Sequence, residues 1–391
     1  MSISFNEIPA SARVPGVYVE IDNSLANNAE ELQKVLVIGR AAEIEPPEAS
    51  PTTRAEGSEI IGANVVALCM NEDRAKALFG ESEIVGMVEF YRKQDETLPV
   101  YAIGVADGDL MSALAALGDV QYHHIICSLN DTTSVRDLGE FLETRYNAMN
   151  QIPGLAYVPY KGKHAELITF AEKSNCPLIS FMPVNAIGNS ADAPVSEAQA
   201  VAGWAGQIAP SLASDPCRPL QTLTINGLYS LAEMEWDWAE RNLLLYSGMS
   251  TYIASSTQQV QIERVVTAYT KNASGIADDS YLDIMTPATA MYFRQKQRSL
   301  ILSKYARHKL VKDGTNFAPG QVIVTPSMIK TELLALYKSL EWQGVVQDFD
   351  GYKDSLIVEL DENNKQRVNY QDSPQFVNGL MITAGKIQLR K

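Results

Sequence analysis

Short apolar runs and amphipathic stretches alternate through most of the 391-residue chain. Residues 34–39 (KVLVIG) form a continuous apolar run closed by glycine, the mark of a buried strand. Residues 99–105, 122–129, 154–159, 177–184 and 220–225 are further short apolar strand candidates. Helical spacing occupies 111–117, 135–149, 165–173 and 196–212 between them. In 135–149 the apolar residues Val135, Leu138, Phe141, Leu142, Tyr146 and Met149 recur every three or four positions, with Asp131 or Thr132 as cap. Strand, helix, strand at these intervals predicts right-handed crossovers and a mainly parallel sheet.

After Gly227 the pattern changes. A helix is predicted over 231–246, with Trp236 and Trp238 packed on other elements, then strands at 252–253 and 260–269 and a long helix over 287–312. Thr325 caps a helix that begins at Pro326, buries Leu333, Leu336, Tyr337 and Leu340, and stops at Gly344. Residues 355–360 and 367–370 read as a hairpin leading into a final strand, which makes this part α+β. The expected fold is therefore α/β plus α+β: a mainly parallel α/β domain followed by an α+β C-terminal domain, with extended N- and C-terminal strand arms. The boundaries read as an arm over 1–28, the α/β domain over 29–227 with an exposed loop near 43–60, the α+β domain over 228–374 and an arm over 375–391.

Both ends carry the two-residue period of half-buried strands. Val17, Val19 and Ile21 alternate with Tyr18, Glu20 and Asp22; Val368 and Tyr370 alternate with Arg367 and Asn369; Ile387 and Leu389 alternate with Lys386, Gln388 and Arg390. A terminal strand with no partner frays, because its amides and carbonyls are unpaired. Ends this apolar are expected to pair, either with the chain's own sheet or with a neighbouring subunit.

Composition adds limits. With 46% apolar and 20% charged residues the chain is globular, and its net charge of −15 argues against a general binder of nucleic acid or anionic membrane. Nine acidic against three basic residues lie in 20–60, and nine basic against three acidic in 281–340. Such opposed faces suit head-to-tail attraction between copies, or are simply solvated. Cys69, Cys127, Cys176 and Cys217 are far apart among apolar residues, with no CxxC pair, so four buried reduced thiols are expected. The opening residues do not read as a signal peptide, and no apolar run approaches the roughly 20 residues that span a bilayer.

Candidate chemistry is sparse. No GxSxG elbow and no GxGxxG or GxxxxGK[ST] loop occurs. His123 and His124, if they lie in a strand, point to opposite faces, which disfavours joint ligation of one ion; one is expected buried and hydrogen-bonded, the other exposed. Asp278, Asp279 and Asp283 lack the spacing of a calcium loop and are better explained as a turn. Asp107 and Asp109 flank Gly108 after a strand, where parallel sheets can bind ligands. The run of Arg294, Lys296, Arg298, Lys304, Arg307, Lys309 and Lys312 on one helix reads as a solvated or acid-docking face sooner than a nucleic-acid helix. No cofactor, metal or nucleotide is expected.

Four stretches in order carry a resemblance: VPGVYVEI at 14–21, RVVTAYTKNASGIADDSYLD at 264–283, TPATAMYFRQ after it, and RVNYQDSPQFVNGLMI at 367–382. Together they resemble the contractile phage tail sheath proteins, nearest to the Mu-like type. The resemblance implies a structural, non-enzymatic virion protein that assembles with itself as stacked hexameric rings around a tail tube protein. It also implies baseplate and tail terminator partners, assembly in the host cytoplasm, and contraction that drives the tube through the host envelope, with no direct nucleic-acid contact and no membrane insertion. In that family terminal arms exchange strands between subunits. The matching positions are Val17, Tyr18, Val19 and Ile21 at one end and Phe376, Val377, Leu380, Ile382, Ile387 and Leu389 at the other. The alternative is an α/β hydrolase-like or small-ligand-binding protein with its site at Asp107 and Asp109.

Overall fold

A computed structural model describes residues 32–41, 60–106, 108–185, 187–190, 193–231 and 236–390. The expected arm over 1–28 and almost all of the loop near 43–60 lie outside them.

A six-stranded sheet is built from β1 (Val35–Arg40), β2 (Val66–Leu68), β3 (Val100–Val105), β4 (His124–Cys127), β5 (Leu155–Tyr160) and β6 (Ile179–Pro183), in the order β2-β3-β1-β4-β5-β6. All neighbours are parallel except the edge strand β2, which runs against β3. The central strands are buried on both faces, which is why they read as unbroken apolar runs. The connecting helices are α1 (Glu72–Phe79), α2 (Glu83–Arg92), α3 (Leu110–Ala116), α4 (Thr132–Tyr146) and α5 (His164–Ala171). Asp131 caps α4 by accepting from the amides of Thr133 and Ser134.

The nearly all-buried helix α6 (Glu197–Ser214) covers one face of this sheet together with α2. The two helices come close because Gly206 faces Tyr91 and Gln94. A methyl on Gly206 would lie 2.8 Å from the Gln94 stem and 3.0 Å from the Tyr91 carbonyl oxygen.

A second, wholly antiparallel sheet was not anticipated from the sequence. It orders β10 (Thr251–Ala254), β11 (Gln259–Arg264), β9 (Thr224–Ser230), β7 (Ile187–Ser190) and β8 (Ala193–Pro194). The strand expected at 220–225 is shifted to β9, and that expected at 260–269 ends at Arg264. The helix expected over 231–246 is α7 (Trp238–Tyr246), with Asp237 as its cap; Trp236 is buried as expected, but Trp238 is exposed.

Helix α8 (Met285–Tyr305) ends seven residues before the expected limit at 312, because a turn at Ala306–Arg307 leads into β12 (Lys309–Leu310), which pairs with β13 (Ile323–Val324). Thr325 caps α9 (Pro326–Trp342), and Ile329, Leu333, Tyr337 and Leu340 form its buried stripe. Next come β14 (Val346–Gln347), α10 (Phe349–Ser355), and the antiparallel hairpin of β15 (Ile357–Leu360) and β16 (Val368–Gln371). The last strand, β17 (Gln375–Phe376), pairs with β14.

The described residues from Gln33 onward pack as one unit around two apolar cores. The larger lies between the sheets and α1–α6, and the smaller around Phe293, Leu333, Tyr337 and Tyr352. Helix α8 takes part in both, with Met285 and Ala288 in the first and Phe293 in the second. No described helix is long and apolar enough to cross a membrane.

Candidate interaction surface

The C-terminal stretch divides at Met381 into a docked half and an exposed half. Phe376 leaves β17 with its ring against Phe293, centroids 5.8 Å apart, and its carbonyl accepts from the Gln347 amide at 3.2 Å. The Val377 amide donates to the Val345 carbonyl at 3.1 Å, continuing the pairing with β14. Tyr337, from α9, fixes this junction: its hydroxyl donates to the Gln347 carbonyl at 2.6 Å and accepts from the Gln375 amide at 3.2 Å. Further along, Gln221 donates to the Leu380 carbonyl at 3.2 Å, and Met381 is half-buried against the larger core.

Beyond Met381 these contacts stop. The Leu380 side chain is 72% exposed, Ile382 79%, Ile387 90% and Leu389 93%. Residues 386–390, expected to form a final strand, adopt no regular structure in the single chain. Their alternation is intact, but among the described residues no strand pairs with them to complete a ladder. Thus Phe376 and Val377 are joined to the body, while Leu380, Ile382, Ile387 and Leu389 project from it. Val17, Tyr18, Val19 and Ile21 lie outside the described residues.

The docked half walls a groove of about 750 Å3, closed opposite by the turn before α8. Arg264 and Asp283 form a two-pronged ion pair there at 2.8 and 3.0 Å, and the hydrogen bonds to Asp283 raise the Arg264 pKa. Asp278 accepts from the hydroxyls of Ser280 and Tyr269 at 2.6 and 2.7 Å, and these bonds lower its pKa. The acidic stretch is therefore a hydrogen-bonded turn. Among the described residues no group of three or more His, Cys, Asp or Glu side chains is placed to hold a metal ion.

The other candidates are also accounted for. His124 is buried between the Tyr157 hydroxyl at 3.0 Å and the Gln33 side-chain Oε1 at 2.7 Å; burial, with His123 beside it, pushes its pKa down to about 3. His123 is not simply exposed: it is half-buried and accepts from the Lys34 amide at 3.1 Å. Asp109 caps α3 by accepting from Ser112, and Asp107 lies outside the described residues. The basic run is not one face. Arg294 turns inward to the Tyr146 carbonyl at 2.6 Å, Lys304 pairs with Glu332, and Arg307, Lys309 and Lys312 follow the end of α8. All four cysteines are free and buried, and burial pushes Cys69 up to about 11 and Cys127 and Cys176 up to about 12.

Sequence reasoning missed Met381, Gln221 and the Tyr337 hydroxyl as the parts that hold the tail root. Tyr337 was legible as a core residue of α9; nothing local marks Gln221, whose partner is 159 residues away.

Comparison with known proteins gives a consistent picture. Residues 104–268 match the phage tail sheath protein central domain, and residues 277–390 the phage tail sheath C-terminal domain. Over 285 residues, 73% of the chain, it is 41% identical to a Mu-like prophage FluMu tail sheath protein of Haemophilus influenzae, of whose own length this spans only 57%. In fold it is similar to a chain of the anti-feeding prophage baseplate, at 13% identity and a TM-score of 0.60, with 97% of this chain and 100% of that one covered. It is also similar to the sheath complex of an extracellular contractile injection system in its contracted state, at 12% identity and a TM-score of 0.60, covering 98% and 99%. A sheath tail protein of Desulfitobacterium hafniense matches at 11% identity and a TM-score of 0.55, covering 93% and 100%.

Proposed function

We propose, since the chain belongs to the phage tail sheath family, that it is a structural subunit of a contractile sheath whose copies are linked through their terminal arms. In this reading the subunits stack as hexameric rings around a tail tube, bounded by baseplate and terminator proteins, and contraction drives the tube through the host envelope. The particle is a virion tail assembled in the host cytoplasm. The observation that carries the arm role is the exposed half of the C-terminal tail, whose apolar residues alternate as a strand while no strand among the described residues accompanies them.

Receptive edges are present in the same body. Among the described residues the pairs β14–β17 and β15–β16 have two strands each, so no third strand is paired with either ribbon. Main-chain pairing of this kind survives rigid-body movement of the partners, whereas exposed ion pairs, worth about 0–1 kcal/mol each, can break and re-form as neighbours slide. The similarity to a sheath in its contracted state supports the same reading.

The test is a truncation that respects where the tail is docked. Removing 383–391 should leave a folded protein with an unchanged unfolding midpoint that forms no tubes by electron microscopy. Replacing Ile387 and Leu389 together by aspartate should do the same. Tubes of ordinary length from either variant would remove the arm from the assembly.

A further inference from the structure

The parallel sheet has a crevice of about 340 Å3 at its carboxyl edge, lined by Arg40, Glu83, Ser128, Asn130, Lys161 and Glu197 among others. The place is topologically special. From β1 the chain goes by way of the edge strand β2 to β3 on one side, then crosses to β4 on the other, and ligands of doubly wound sheets sit outside the strand ends at such a reversal.

A side chain of the protein itself fills this point. Glu83 opens α2, and its carboxylate accepts hydrogen bonds from the Arg40 amide at the end of β1 and from the Ser128 hydroxyl just past β4. The Arg40 guanidinium reaches the second carboxylate oxygen at 3.5 Å. The Glu83 stem lies on Gly39, where an added methyl would come within 3.2 Å of it and within 2.9 Å of Ile84, so the backbone of β1 is bare where the glutamate passes. Ser82, in the cap position, makes no side-chain cap bond, and Glu83 is the acid in the first turn of α2. On the facing wall Glu197, at the start of α6, accepts from the Asn130 amide at 2.8 Å. Both helix starts that border the crevice are therefore answered by internal carboxylates, where the field of a helix favours negative charge.

We propose that Glu83 is an internal ligand of the sheet: its carboxylate holds the position that an anion would take at the strand reversal, ties β1 to β4, and closes the crevice to anions from solution. The fold keeps the geometry of a binding site and uses it as a strut.

Thermal unfolding of the full chain in sodium formate, sodium chloride and sodium phosphate at equal ionic strength tests this. The parent protein should show only the general, non-saturating effect of each salt on its midpoint, with no saturable stabilisation by formate or phosphate. Glu83→Ala should unfold about 5 °C lower in chloride, and formate should restore part of that loss by placing a carboxylate in the vacated space. Glu83→Gln, which keeps the volume, should also unfold lower, without recovery in formate. Three results would each overturn the proposal: a parent stabilised saturably by millimolar phosphate or formate, an alanine variant that gains no more from formate than the parent does, or a glutamine variant as stable as the parent. If the alanine variant does not fold, the parent and the glutamine variant still decide it.

Discussion

Phe376 and Phe293 meet edge to face, ring centroids 5.8 Å apart, which pins the last paired strand to the longest helix. Phe293 is buried and Phe376 half-buried, so the contact belongs to the smaller core and not to the tail alone. Phe376→Ala should lower stability by about 1–2 kcal/mol and Phe293→Ala by about 3 kcal/mol in denaturant titrations. Ile387→Ala should leave it unchanged, since that side chain touches little in the single chain.

His124 makes the protein sensitive to mild acid. Its folded pKa of about 3 lies below the ordinary value of 6.5, so the unfolded chain binds the proton first. Its stabilising contribution is full above pH 6.5 and is lost as pH falls from 6.5 towards 3, to a limit of about 5 kcal/mol. The groups facing it are His123, Asp95, the Tyr157 hydroxyl and the Gln33 amide. For Asp95, burial raises the pKa, but hydrogen bonds from Thr97, Tyr91 and Leu98 outweigh it and hold it low, so its own contribution fades only below the usual carboxylate range. His124→Gln should flatten the stability profile between pH 6.5 and 4, measured by denaturant midpoints across that window.

Gly206 sets how closely α6 approaches α2. Alanine is the better helix former by about 1 kcal/mol, yet its methyl would press on the Tyr91 carbonyl at 3.0 Å, which is backbone and cannot swing away. Gly206→Ala should therefore destabilise by about 1–3 kcal/mol despite the propensity gain. An alanine variant of equal or higher melting temperature would show that the helices separate freely.

Arg264 and Asp283 join β11 to the start of α8, and both are only about one-fifth exposed at the side chain. Asp283→Asn should cost about 2 kcal/mol, and a double-mutant cycle with Arg264→Met should return a coupling of at least about 1 kcal/mol. Independent, additive effects would mean that the pair is no stronger than one at the open surface.

The parallel sheet was legible because its central strands are apolar on both faces, as KVLVIG shows, and because Thr325–Pro326 and Asp131 announce their helices by cap chemistry. Helix α2 escaped notice since Ile84, Val85, Met87, Val88, Phe90 and Tyr91 cover nearly its whole circumference, which erases the helical period of an element buried between sheet and α6. Of the antiparallel sheet, β10 and β11 were legible as strands at 252–253 and 260–269, but β7, β8 and the pairing escaped because these strands are short and pair with segments far away, as Ile187 does with Ser230. At the tail, the alternation of Ile387 and Leu389 was legible and their conformation was not: a strand is a property of two backbones, and no described strand supplies the second one. The crevice at Glu83 left no local signature, because Arg40, Glu83 and Ser128 become neighbours only when β1, α2 and β4 are in place.

Helix α8 is shared by both cores, and Arg294 near its middle is clamped to the Tyr146 carbonyl with its guanidinium 4.5 Å above the Tyr146 ring. A rod anchored along its length carries a push from one end to the other with little loss. Helix α8 thus ties the two cores to each other through one continuous backbone, whereas the tail beyond Met381 has no such tie among the described residues.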